Sequence, residues 1–340
     1  MKKHVNIPVF IPHLGCPNSC IFCNQHIISG VSEFDASSVI PIIEDALATM
    51  DPTQTAELAF FGGSFTGIDR QLMIKLLKIG NSYLKQGRIK SIRCSTRPDY
   101  INEEILTILS DYGVGTVELG LQSISDKVLS LCERGHDSEA ARRACALIKS
   151  FGLRLGGQMM IGLPGSDIGD EIKTAGFIVS AGCDEARIYP TVVFRGTELC
   201  AMTERNIYSP LSVDEAVSRS AKVLAVIVKA GIKVLRIGLC DSENLHSDET
   251  YYAGPNHPAL GELVENEFFY QLMKEKLSQF ENTQGKKLTV YAARGNVSKV
   301  IGQQKRNKIN IIREYGFTDV RIIESENVGR YDLLPVINGE

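Results

Sequence analysis

No apolar stretch of this 340-residue chain approaches the ~20 residues needed to cross a bilayer, so no membrane partner is expected. The opening residues carry Lys2 and Lys3, but Asn6, Pro8, Pro12 and His13 interrupt the apolar run that a signal peptide requires. A cytoplasmic location is expected. A strong net charge is also lacking: at −3 the chain has no global attraction to nucleic acid or membrane, although local patches remain open. Cysteines in framework spacing are missing as well. The count of nine is odd, three fall within eight residues, and Cys94, Cys132, Cys145, Cys183, Cys200 and Cys240 are scattered singly. That excludes a disulfide scaffold, and the scattered six read as small buried hydrophobes. There is no low-complexity segment. What remains is an ordinary globular composition, long enough for one large domain and a small appendage.

From residue 7 to about 195 one phrase repeats: a short apolar or β-branched run, a turn, then a segment with helical spacing. The strands are expected at Ile7–His13, Ala56–Gly63, Ser91–Arg97, Thr116–Ser123, Arg154–Leu163 and Glu185–Phe194. Helices are expected near 37–49, 70–85, 102–111, 138–151 and 167–181. Such alternation argues for right-handed βαβ units and a parallel sheet. Six units suggest an incomplete barrel.

Three of these strands carry polar residues on one face: Ser91, Arg93, Ser95 and Arg97; Glu118, Gly120 and Gln122; Glu185, Arg187 and Tyr189. A parallel strand covered on both faces should read as nearly continuous Val, Ile and Leu. The shared polar face therefore points to a wet or ligand-filled cavity, the alternative being an exposed edge.

Directly after the first strand stands Cys16-Pro17-Asn18-Ser19-Cys20-Ile21-Phe22-Cys23. Gaps of three and two residues let three thiolates converge on one small inorganic body. A closed zinc site wants a fourth ligand nearby, and an ordinary four-iron cluster takes four cysteines. With only three, one iron would stay open. A zinc knuckle is the competing reading. Phe60-Phe61-Gly62-Gly63-Ser64 ends the second strand, where paired glycines let backbone approach a ligand closely.

The C-x3-C-x-aromatic-C spacing resembles the signature of the radical S-adenosylmethionine (SAM) superfamily. The resemblance implies an incomplete (β/α)6 barrel in which Cys16, Cys20 and Cys23 hold a 4Fe-4S cluster. It also implies that the open iron binds SAM, and that an electron from a reductant such as ferredoxin or flavodoxin cleaves SAM to methionine and a 5′-deoxyadenosyl radical. Gly62, Gly63 and Ser64 resemble the family's Gly-Gly motif, which contacts SAM. Gln122 lies in an E-x-G-x-Q-S strand and Arg134 in an R-x-H that resemble those of oxygen-independent coproporphyrinogen dehydrogenases and of the Elongator catalytic subunit. There the Gln helps bind SAM and the Arg lies near its carboxylate. Ser95, Arg97 and Gln158 occupy strand positions that line the same pocket by this resemblance. The bland alternatives are core hydrogen bonds for the glutamines and a surface ion pair for the arginine.

The Elongator resemblance runs over about residues 7–240 and includes Arg187-Ile188-Tyr189-Pro190-Thr191, but no acetyl-CoA fingerprint is recognisable in the tail. Expected boundaries are a core barrel at 1–240, a connecting helical segment at 241–285 and a basic α/β unit at 286–340. That last unit is expected as β-α-α-β. Lys286 to Arg313 holds eight basic residues and no acidic one. With Gly302-Gln303-Gln304-Lys305 between two short helices it resembles the KH domain's GXXG loop, Lys305 standing where the second Gly belongs. RNA binding and a plain solubilising cap stay open. Overall the expectation is radical SAM chemistry on RNA, with two rivals: a small-molecule or tetrapyrrole enzyme, and a non-catalytic iron–sulfur RNA-binding or redox-sensing protein.

Overall fold

The computed structural model describes residues 4–12, 14–16, 20–29, 31, 33–239 and 247–338; Lys2, Lys3, His13, Pro17–Ser19 and Cys240 lie outside them. The expected strands form, as β1 (His4–Ile11), β2 (Thr55–Gly62), β3 (Ser91–Thr96), β4 (Val114–Gln122), β5 (Arg154–Ile161) and β6 (Glu185–Pro190). The last was expected to run on to Phe194. It stops at Pro190, after which β7 (Val193–Phe194) starts a separate antiparallel pair with β9 (Tyr251–Ala253). The Thr191 N–H makes the last ladder bond to β5, donating to the Ile161 carbonyl at 2.8 Å, and Pro190 has no N–H to offer the sheet.

Between them β8 (Lys233–Ile237) joins β6, so the sheet has seven strands in the order β1-β2-β3-β4-β5-β6-β8. Every neighbouring pair is parallel. The expected incomplete (β/α)6 barrel is thus an open barrel with a seventh strand, its two edges β1 and β8 left unjoined. Helices cover the convex side because their apolar stripes recur at helical spacing. Met73, Leu76 and Leu77 are the buried stripe of helix Arg70–Lys85, which Asp69 caps by accepting from the Leu72 N–H. Ser212 and Glu215 form a capping box on helix Val213–Lys229.

Alternation then settles the concave side. Ile92, Cys94, Val117 and Leu119 are fully buried beneath the helices, which turns Arg93, Ser95 and Glu118 inward. Arg93 donates from Nε to Glu57, from Nη1 to Glu118 and from Nη2 to Glu185, each at 2.7 Å. Arg187 adds a further pair to Glu118 at 2.6 Å. The polar strand faces therefore do point inward, but their lower part is a buried ionic floor and only the upper part borders open space.

The tail contains β10 (Lys287–Ala292), helices Val297–Ile301 and Arg306–Tyr315, β11 (Asp319–Glu324) and β12 (Leu333–Asn338). It is one strand longer than the β-α-α-β expected: β10 is central, parallel to β11 and antiparallel to β12. Helix Leu260–Leu277 packs on Val213–Lys229 with one side, and on β12 and both tail helices with the other. Its Val264, Phe269, Met273 and Leu277 join Ile7 of β1 and Val290 of β10 in one hydrophobic core. Phe269, wholly buried, meets Phe268 at 5.2 Å and Tyr331 at 6.5 Å between ring centroids. Phe269→Ala is expected to lower unfolding free energy by about 3–5 kcal/mol. Because the core is continuous, urea unfolding should remain a single transition; two separated transitions would show that the tail folds on a core of its own.

Candidate active site at the open end of the barrel

All seven strands end on the same side, and that end of a parallel sheet is where ligands gather. A cavity of about 380 Å³ lies there. Its walls include Phe61 and Gly62 from β2, Ser95 from β3, and Gln122 at the end of β4. Gln158 and Met160 of β5 and Arg187 and Tyr189 of β6 close the far wall. Phe22, Cys23 and Gln25 reach it from the loop after β1, and Arg236 stands at the β8 edge. Among the described lining residues there are two arginines and no acid.

The cysteine loop is gripped from two sides. On one, Cys20, Ile21 and Phe22 are buried in a small apolar cluster with Val128, Leu163 and Leu199. The Ile21 N–H donates to the Cys132 carbonyl at 3.4 Å, and the Ile21 carbonyl accepts from the Leu199 N–H at 2.8 Å. On the other, the loop lies against the end of β2: a Cβ added to Gly63 would stand 2.2 Å from the Leu14 carbonyl oxygen, and one on Gly15 2.2 Å from that of Ser64. Gly62, at φ +111°, also lies close on Ile11, where a Cβ would stand 2.8 Å from the backbone. The glycine pair is thus demanded by the backbone leading into the cysteines.

Burial and the neighbouring Cys20 raise the Cys16 thiol, and the same two causes push Cys23 up to about 12, opposed by the Gln25 amide at 3.5 Å. Two guanidiniums answer them. Arg134, buried, donates to the Cys20 sulfur at 3.1 Å and to the Gly120 carbonyl at 2.8 Å. Arg97 donates to the Arg134 carbonyl at 2.5 Å and pairs with Asp99 at 2.9 Å. His136 is held neutral, its pKa brought down to about 4 by burial and then by Arg134. Among the described residues no set of three His, Cys, Asp or Glu side chains is drawn to ligating distance; the three sulfurs sense one another without forming a closed site.

The expected SAM residues divide into two groups. Gly62, Ser95, Gln122 and Gln158 line the cavity beside Cys23. Gly63, Ser64, Arg97 and Arg134 are outside its lining and support the cysteine loop: Ser64 Oγ bonds Thr96 Oγ1 at 2.8 Å and accepts the Arg97 N–H at 3.3 Å. Gln122 holds φ +64° at a break in the β4–β5 register, and its buried Oε1 has no hydrogen-bond partner among the described residues. Gln25, Met160 and Arg236 are not singled out by the sequence, and Phe22 and Phe61 stand in its motifs without a role at the cavity. Only the alternation of β2 and β5 could have indicated Phe61 and Met160.

Residues 10–178 match the family model of the radical SAM superfamily, and 183–269 that of the radical SAM C-terminal domain. The chain belongs to the radical SAM superfamily. It is therefore an enzyme of a family that uses a 4Fe-4S cluster and SAM and draws its electron from an external donor. It is 31% identical over 188 residues to the tRNA uridine(34) acetyltransferase of Methanocaldococcus jannaschii, covering 49% of this chain and 34% of that protein. It is 32% identical over 152 residues to Elongator complex protein 3 of Dictyostelium discoideum, covering 43% and 27%. The chain spans between about a quarter and a third of the length of these curated relatives. An Elp3 of Methanocaldococcus infernus lacking its N-terminus shares the fold, with a TM-score of 0.63 at 24% identity, over 81% of this chain and 64% of that one. No described helix is long and apolar enough to cross a membrane.

The residues present fit these cofactors. Two guanidiniums offset the charge that three thiolates would bring, and Gln122, which lines the cavity, keeps a buried amide oxygen without a partner among the described residues. Gly63→Ala is expected to displace Leu14 and cut retained iron several-fold after anaerobic reconstitution. Gly176→Ala, in open space on helix Ile168–Ser180, should retain wild-type iron. Equal iron in both variants would deny that the glycine shapes the cysteine loop.

Proposed function

We propose that this radical SAM enzyme modifies RNA, tRNA being the class, in the cytoplasm. The observation that carries the radical part is the meeting of Cys23, Gly62 and Gln122 at one cavity, with the buried Gln122 Oε1 left without a partner among the described residues. On this reading Cys16, Cys20 and Cys23 hold the 4Fe-4S cluster. When bound there with SAM, it supplies reductive cleavage to methionine and a 5′-deoxyadenosyl radical, with ferredoxin or flavodoxin as electron donor. The chain's own groups do the rest. Arg97 and Arg134 offset the thiolates' charge, Gln122, Gln158 and Ser95 bind SAM by hydrogen bonds, and Gly62 lets its backbone come close. Phe22, Phe61 and Met160 keep water from the reactive centre.

RNA as substrate is supported by relatives whose names place them on tRNA and by the basic tail. The tail's charge is thinner in three dimensions than along the chain. Lys299 pairs with Glu265 at 2.5 Å and Lys308 with Asp319 at 3.2 Å, both acids lying outside the basic window. Lys287, Arg294, Lys305, Arg306 and Arg313 stay exposed, and Lys286 is half-buried. Lys286 and Lys287 lie by the C-terminal end of helix Arg306–Tyr315, since the Lys286 carbonyl accepts from the Thr318 N–H at 2.8 Å. Lys305 and Arg306 stand at its other end, about 15 Å away at the helical rise. Lys305 itself adopts φ +63°, the left-handed backbone that the second glycine of a GXXG loop would take freely.

Two measurements test this reading. Anaerobically reconstituted protein should carry about four irons per chain and form 5′-deoxyadenosine when reduced, and Cys16→Ala, Cys20→Ala or Cys23→Ala should abolish both. Stoichiometric zinc without iron would sink it. For RNA, log affinity should fall with log salt by about 0.7 per phosphate contact, and reversing Lys305 and Arg306 together should flatten that slope by about 1.4. Absence of RNA binding at low salt would move the assignment to a small-molecule substrate.

A further inference from the structure

Glu118 is the least exposed acid of the barrel floor, at 1%, and every acceptor position of its carboxylate is used. Oε1 accepts from Arg93 Nη1 at 2.7 Å and Arg187 Nη2 at 3.3 Å. Oε2 accepts from Arg187 Nε at 2.6 Å and Gln158 Nε2 at 3.1 Å. Burial opposes its ionisation, but the Arg187 and Arg93 guanidiniums win and hold its carboxyl below the usual range.

A carboxylate can only accept, and that decides which way the Gln158 amide turns. The nitrogen must face Glu118, and its second N–H goes to Ser95 Oγ at 3.3 Å. The amide oxygen is then the end left to the cavity, and it has no hydrogen-bond partner among the described residues. Arg187, the other cavity residue held by Glu118, is drawn down by two of its nitrogens with its guanidinium carbon 5.3 Å from the Phe61 ring centre.

We propose that Glu118 is a positioning residue: it locks Gln158 so that the SAM cavity offers a hydrogen-bond acceptor there, selecting a ligand hydroxyl or amino group. The inference rests on the reading that Gln158 contacts SAM.

A double-mutant cycle on full-length reconstituted protein tests it, with SAM dissociation constants and thermal midpoints measured for each variant. Glu118→Gln keeps the shape but introduces an N–H and frees the Gln158 amide to flip. It should weaken SAM about tenfold in the wild-type background, and less than twofold once Gln158→Met has removed the amide. Glu185→Gln is the control, because Glu185 pairs with Arg93 and Arg154 in the same floor but touches neither Gln158 nor Arg187. It should lower the midpoint while SAM affinity stays within twofold. If Glu118→Gln does not fold, Glu118→Asp keeps the charge, shortens the reach and should show the same dependence on Gln158. An equal loss of SAM affinity in both backgrounds would make Glu118 merely structural and overturn the proposal. Wild-type affinity in Gln158→Met alone would remove Gln158 from the SAM site and the inference with it, while iron content and SAM cleavage, resting on the cysteines, would stand.

Discussion

Arg93 ties β2, β4 and β6 together from inside the sheet through three carboxylates at 2.7 Å, and the architecture above it depends on that bond set. A charged interior is costly to desolvate, and replacing such a cluster with apolar residues is often neutral or stabilising in proteins. Its effect here is on arrangement. Each strand has to keep one register for Glu57, Glu118 and Glu185 to reach the same guanidinium, and a slip of one residue would turn all three toward the helices. The floor also underlies the cavity, holding Arg187 and Gln158 of its lining through Glu118, while Cys23 borders the same space from the cysteine loop.

The cysteine loop depends on neighbours chosen for shape as much as for chemistry. Apolar packing around Ile21 and Phe22 fixes one side, and backbone contacts that only glycine permits fix the other. Arg97 and Arg134 then bring positive charge to the sulfurs without lining the cavity, which leaves that space to groups that can bind a ligand by hydrogen bonds. The site thus separates two tasks, charge compensation behind the loop and recognition in front of it.

Helix Leu260–Leu277 extends the same economy to the tail, since one helix completes both the barrel's outer layer and the small sheet's cover. The GXXG-like turn is pinned to it by Asn307, whose amide donates to the Asn266 carbonyl at 2.8 Å. A Cβ on Gly302 would lie 2.8 Å from that same Asn307 side chain. The turn is held in a fixed relation to the barrel, although one cation from each flanking helix, Lys299 and Lys308, is spent on an acid from another element.

Local physical chemistry was enough to read most elements from the sequence. Period-2 and helical patterning located β1 to β6 and the covering helices, the caps at Asp69 and Ser212 are sequence-local, and three cysteines with no fourth nearby marked the loop. The seventh sheet strand, β8, was not placed in the sheet, being only five residues long, and β12 was not recognised because Pro335 interrupts its run. The break at Pro190 was legible in principle, and the apolar run on to Phe194 masked it. What only the tertiary structure decided is which side chains meet. Arg134 reaches Cys20 across 114 positions, Arg93 reaches Glu185 across 92, and the tail's lysines find acids beyond their own window. Spacing along the chain encodes backbone conformation within a few residues. Contacts between strands depend on register, bulge and loop packing, which arise only when the whole core forms.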